Sequence, residues 1–198
     1  MEGSSELQGW IDRLAAGDAL ARDQLLCCAQ GRMRRLAWKM LKGFPGVARW
    51  EEVEDVSQEA AVKLWGALKE VSPGSVREFT GLAATQIRRV LIDLARHYYG
   101  PQGPGRRHHS PPPGDGAGPD VADSSYELKK LAAWTAFHEK IDLLPDKERE
   151  VFDLHWYQGL THRDAADVLG LSERTIKRLW QSARLHLYEA LDGELPDV

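Results

Sequence analysis

Apolar residues recur three and four positions apart along most of the chain, and alternating β-branched runs with hairpin turns are missing. Leu7, Trp10, Ile11 and Leu14 share one face of a short first helix. Gly17–Asp18 caps a second helix that extends to Leu41, with a weak point at Gly31, and Gly43-Phe44-Pro45-Gly46 breaks it. Val53, Val56, Ala60, Leu64 and Leu68 predict a third helix over 52–68. After a Pro73–Gly74 loop, Phe79, Leu82, Ala83, Ile87, Val90, Leu91 and Leu94 predict a fourth over 76–98. Two further helices are expected over 126–141 and 146–157. The chain reads as all-α.

The most informative pattern lies in 160–191, LTHRDAADVLGLSERTIKRLWQSARLHLYEAL. Thr161 and Asp164 have the spacing of a capping box. Ala165, Val168 and Leu169 give the inner face of a short helix, and Gly170 supplies the positive φ that ends it. Leu171 plugs the turn and Ser172 caps a second helix. On that helix Ile176, Leu179, Trp180, Ala183, Leu187 and Leu191 face inward, while Arg174, Lys177, Arg178 and Gln181 lie opposite. Two helices, a tight turn and a cationic outer face are the layout of a helix-turn-helix. Arginine, lysine and amide side chains on that face suit base edges and phosphates.

Residues 100–120 contain six Gly and six Pro among 21, too few packing side chains for a core. The expected organisation is therefore two small helical domains, 1–99 and 126–198, joined by a flexible Pro/Gly-rich linker over 100–125. At about 5–6 Å × √n such a linker averages roughly 25 Å end to end.

Composition narrows the class. No apolar run is long enough for a bilayer, and MEGSSELQGW lacks a signal-peptide pattern, which together predict a cytoplasmic protein without membrane insertion. The two cysteines, Cys27 and Cys28, are adjacent and unsuited to bridging each other or to building a metal site. The net charge of −4 hides a segregation. Residues 32–42 hold five bases and no acid, 50–59 five acids and no base, and 88–109 five arginines against Asp93. Separate patches of opposite sign suit two partners, one of them an anion. No HExxH, phosphate loop or nucleophile elbow occurs, and the histidines are isolated or in the linker, so no enzyme, cofactor or metal site is expected.

Three segments together resemble the ECF (extracytoplasmic function) sigma factors, specificity subunits of bacterial RNA polymerase. Glu54-Asp55-Val56-Ser57-Gln58-Glu59-Ala60 followed by Lys63-Leu64-Trp65 resembles the family's acidic helix, which binds the clamp helices of the polymerase β′ subunit. The resemblance assigns Glu54, Asp55, Gln58, Glu59, Leu64 and Trp65 to that contact. Phe79 to Arg96, FTGLAATQIRRVLIDLAR, resembles the helix that lies against the melted minus-ten element. Its implied single-strand contacts are Ser75, Arg77, Arg88, Arg89 and Arg96, with a base pocket in the loop at 71–78. Residues 144–191 resemble the region that reads the minus-thirty-five element. Arg174, Thr175, Lys177, Arg178, Gln181 and Ser182 would face the groove there, and Thr161, His162 and Arg163 would hold the backbone.

The resemblance covers nearly the whole chain and implies core RNA polymerase (β′ clamp helices and β flap) and promoter DNA as partners. It leaves open an anti-sigma factor. Arg106, Arg107 and His108 of the linker would add contacts near the RNA exit path. TIKRLWQSARLHLYEAL with RRVLIDLAR most resembles a subgroup frequent in planctomycetes. Two positions depart from the family pattern: Leu82 stands where a tryptophan is common, and Arg89 where an asparagine is frequent. A response-regulator-type activator shares the helix-turn-helix, but 1–99 has no strands for its receiver domain. A helical adaptor that binds only protein would not need the cationic face.

Overall fold

The computed structural model describes residues 2–44, 46–99 and 120–193. Among them there is no strand. The N-terminal lobe holds α1 (Glu2–Ala15), α2 (Ala21–Leu41), α3 (Val53–Ala67) and α4 (Val76–Tyr99), with a 3₁₀ turn at Val47–Arg49. The C-terminal lobe holds α5 (Asp120–Ile141), α6 (Asp146–Phe152), a π-helical turn (Asp153–Tyr157), α7 (His162–Leu169) and α8 (Glu173–Ala190).

On α3 and α4 the predicted inward positions are buried or packed against the core. Val56, Ala60 and Leu64 of α3 and Phe79, Ala83, Ile87, Val90 and Leu91 of α4 are buried between α2, α3 and α4. α2 is unbroken at Gly31. A glycine inside a helix costs about 1 kcal/mol, and the buried Ala29, Met33, Leu36 and Ala37 flanking it offset that penalty by packing. At its start the Asp18 carboxylate accepts from the Leu20 N–H at 2.9 Å.

Two boundaries and one inward position differ from the sequence expectation. α5 begins at Asp120, inside the segment read as linker. The remainder of that segment, 100–119, with Arg106, Arg107 and His108, lies outside the described residues. The helix expected over 146–157 is α-helical only to Phe152 and then widens into the π turn. Val168, expected inward on α7, is 46% exposed, and Ala166 is buried instead. α7 is a two-turn helix, and only a narrow stripe of it reaches the core.

The two lobes share a core. Leu131, Trp134, Phe137 and Ile141 of α5 join one apolar cluster with the N-terminal helices. Phe44 stacks on His138 with ring centroids 4.8 Å apart. A smaller cluster, Val151, Leu154, Ala165, Ala166 and Ile176, holds the helix-turn-helix together. No helix among the described residues is long and apolar enough to cross a membrane.

Candidate nucleic-acid interface

Each helix of the helix-turn-helix starts at a side-chain cap. The Asp164 N–H donates to Thr161 Oγ1 at 3.1 Å, and the Thr161 N–H donates to the Asp164 carboxylate at 3.2 Å. The Thr161 hydroxyl also donates to that carboxylate, and these bonds hold Asp164 below the ordinary carboxylate range. Gly170 sits at φ +63° and closes α7, with the Leu171 N–H donating back to the Ala166 carbonyl. A residue with a Cβ is strained there. Ser172 Oγ then accepts from the Thr175 N–H at 3.1 Å and starts α8.

These constraints aim α8. Ile176, Ala183 and Leu187 are buried, so Arg174, Lys177, Arg178 and Gln181 project outward and line a shallow concave surface with Thr175. Glu173 pairs with Lys177 at 2.7 Å across one turn. That pair is half-exposed and screened by water, so a DNA phosphate can displace the carboxylate. Thr175 has its hydroxyl at 2.8 Å from Ser172 Oγ, where it supports the cap.

Two residues expected at the groove or the backbone make contacts within the lobe. Ser182 faces inward: its hydroxyl donates to Glu148 Oε1 at 2.9 Å, and His186 Nδ1 lies 2.7 Å from the other oxygen of the same carboxylate. Ser182 therefore ties α8 to α6. His162 is only partly exposed and stacks on His155 at 4.5 Å. Burial, His155 and Lys177 push its pKa below the ordinary value, which favours the neutral imidazole. Thr161 is engaged in the cap, and Arg163 is exposed.

The outer face of α3 carries Glu54, Asp55, Gln58 and Glu59, all exposed. Asp55 also caps the helix, accepting from the Glu52 N–H at 3.2 Å. Arg34 pairs with Glu54 at 3.1 Å, and Lys63 lies 3.6 Å from Glu59. Trp65 is 37% exposed; its indole N–H donates to Asp23 at 2.9 Å, and Lys69 lies over its ring. Leu64, assigned by resemblance to the partner contact, is fully buried and serves the core instead. Val62, on the same helix, is 72% exposed, an outward apolar position that the inward-facing periodicity passed over.

On α4 the structure departs most from expectation. Ser75 caps the helix entry by accepting from the Glu78 N–H. Arg89 is exposed. Arg88, expected on a strand-facing surface, is completely buried between the lobes. Its guanidinium donates to Asp153 at 2.8 Å and to Asp142 at 2.7 Å. Burial opposes its charge, but Asp153, Tyr157 and Asp142 outweigh burial and hold it more firmly protonated than a free arginine. Arg77 pairs with Glu150 at 2.8 Å and Arg96 with Glu139 at 2.6 Å. In this arrangement Arg88 is closed to a nucleic-acid strand, because a desolvated guanidinium requires its carboxylates and the C-terminal lobe supplies them.

Beside Arg88 lies His138, 1% exposed. Its Nδ1 is 2.6 Å from the Tyr157 hydroxyl. Burial, then the neighbouring Arg88 charge, push its pKa down to about 3, so it is neutral. The π turn brings Asp153 under Arg88 and Tyr157 against His138 within five residues.

Among protein families, the one described as "ECF sigma factor" matches residues 4–193. Comparison with curated proteins gives no match.

Proposed function

The chain belongs to the ECF sigma factor family, and from that premise we propose which of its surfaces carry promoter and polymerase contacts. Membership makes it an alternative sigma factor, a non-enzymatic subunit that acts with core RNA polymerase in promoter recognition and transcription initiation.

The observation that carries the assignment is α8. Its apolar side is seated in the core, and Arg174, Lys177, Arg178 and Gln181 stand together on its solvent side. These four read the minus-thirty-five element in the major groove, and Arg163 at the start of α7 holds the backbone. The Lys177–Glu173 pair opens on docking. The acidic face of α3 docks the basic surface of the β′ clamp helices, with Glu54, Gln58 and Glu59 supplying charge and hydrogen bonds. Val62 and Trp65 supply apolar contact. Asp55 both orders the helix and adds to the field. On α4, Arg89 with Arg77, Arg88 and Arg96 neutralises the melted strand once their present partners are released. The C-terminal lobe also meets the β flap.

The test is Lys177→Ala with Arg178→Ala, read by run-off transcription with purified core polymerase on genomic DNA. Each good base contact is worth about 1–3 kcal/mol. Promoter-specific initiation should be lost while the variant still co-purifies with core polymerase. Loss of polymerase binding instead would place the polymerase contact on α8 and overturn the assignment.

A further inference from the structure

We propose that the C-terminal lobe is an internal stand-in for the promoter single strand: its carboxylates occupy the cationic face of α4 and keep the free chain closed to nucleic acid. The proposal rests on the reading of α4 as the strand-binding helix.

Three arginines of α4 each hold a carboxylate of the C-terminal lobe. Arg77 holds Glu150, Arg88 holds Asp142 and Asp153, and Arg96 holds Glu139. At 1.5 Å per residue these arginines span about 28 Å of helix, so the carboxylates form a row along α4 instead of a single clasp. A row of anions along a cationic helix is also what a bound phosphate backbone presents. The row comes from α5 and the turn after it, α6 and the π turn, elements with no part in base reading. α8 points its own cationic face elsewhere, into solvent.

The closure is built to be specific. Arg88 is fully buried and would be costly to leave unpaired, so its two carboxylates fix how the lobes meet. Apolar packing closes the rest: Trp134 of α5 lies against Gly43, where an added Cβ would come within 3.1 Å of the indole. Buried ion pairs give little net stability over apolar packing, and a phosphate can take the place of a carboxylate as the partner of a guanidinium. Strand and lobe thus compete for one surface. Seating of the lobes on polymerase, or capture of the strand, must separate them.

The competition is tested with a charge-neutral wedge, because altered charges would change DNA affinity directly. Gly43→Leu pushes on Trp134 from a position outside every proposed DNA contact. Trp134→Ala is the second variant, loosening the same seam without adding bulk. The full chain, with Cys27 and Cys28 replaced by serine, carries donor and acceptor dyes on new cysteines at Gln24 and Tyr188, both exposed on opposite lobes. Energy transfer reports closure, and anisotropy with a labelled 20-nucleotide single strand reports binding.

The wild type should show high transfer. Either seam variant should lower the transfer and raise single-strand affinity about tenfold or more, in proportion to the closed population it removes. Arg88→Gln added to the wedge should abolish most of that gain. Low transfer in the wild type overturns the proposal, and so does an opened variant whose strand affinity is unchanged. Run-off transcription by the same proteins separates the two readings. A strand-affinity gain without initiation by any of them refutes the promoter assignment of α4 and leaves the occlusion standing.

Discussion

Replacing Arg88 by methionine removes the guanidinium and keeps an unbranched apolar stem in the same space. Its two partners then diverge. Asp142 keeps a side chain 26% exposed and can turn to water, whereas Asp153 at 8% cannot. One carboxylate is left stranded, which costs about 3–5 kcal/mol when charged. The alternative is protonation, which at pH 7 against an ordinary carboxyl value near 3.9 costs about 4 kcal/mol. Both routes give the same size of loss, a large part of a typical stability of about 5–15 kcal/mol.

The second route also sets the pH dependence. A stranded Asp153 has a folded pKa raised by burial above its unfolded value. The loss therefore grows as pH rises above about 4 and shrinks toward about 1.5 kcal/mol at pH 5. A further relief exists, since the lobes can part and let Asp153 reach water, so the loss is capped at the free energy of lobe closure. Urea titrations of wild type and variant, followed by tryptophan fluorescence at pH 7 and pH 5, measure the difference. Arg88→Met with Asp153→Leu should recover most of it, because apolar replacement of a whole buried pair is often neutral. A single-variant loss below about 1 kcal/mol at pH 7 in a variant whose lobes stay closed by energy transfer would show that Arg88 is not a buried partner of Asp153 in solution.

Three other outcomes are expected. Glu54→Lys with Glu59→Lys should weaken core-polymerase binding about tenfold and reduce its salt dependence, with Asp55 left intact because it caps α3; unchanged affinity would move the interface off this face. His138 is buried neutral with a pKa lowered to about 3, so its contribution is present above the unfolded value and is lost as pH falls from about 6.5 toward 3, by about 1.4 kcal/mol per unit; His138→Phe should flatten that limb of the stability–pH curve, and an unaltered curve assigns it to other groups. Gly170→Ala should cost about 1 kcal/mol or more from the φ of +63°, seen as a lower melting temperature, and a stabilised variant would show that α7 ends differently.

The features that were legible in the chain are those closed by local contacts. The Thr161–Asp164 box, the Gly170 turn and the Ser172 cap each depend on groups within five residues. Their chemistry therefore reads directly from spacing. The inward faces of α3, α4 and α8 follow because apolar positions at 3.6-residue spacing have no stable alternative to burial. The cationic side of α8 comes with them, as the remainder of the same helix.

What spacing could not give is the destination of each polar group. Leu64 and Trp65 are neighbours in an acidic segment, yet one fills the core and the other reaches Asp23, 42 positions away. Ser182 looks like its groove-facing neighbours but finds Glu148, 34 positions away. Arg88 and Arg89 are adjacent arginines in one basic run; the first is sealed against Asp142 and Asp153, and the second faces solvent. A charge pattern fixes sign and helical face but not the dielectric around it or the carboxylate opposite. The sequence by itself determined the helices, their caps, the family and the cationic reading surface. Only the tertiary structure decided which arginines are free to meet DNA, because that depends on lobes brought together by contacts more than fifty residues apart.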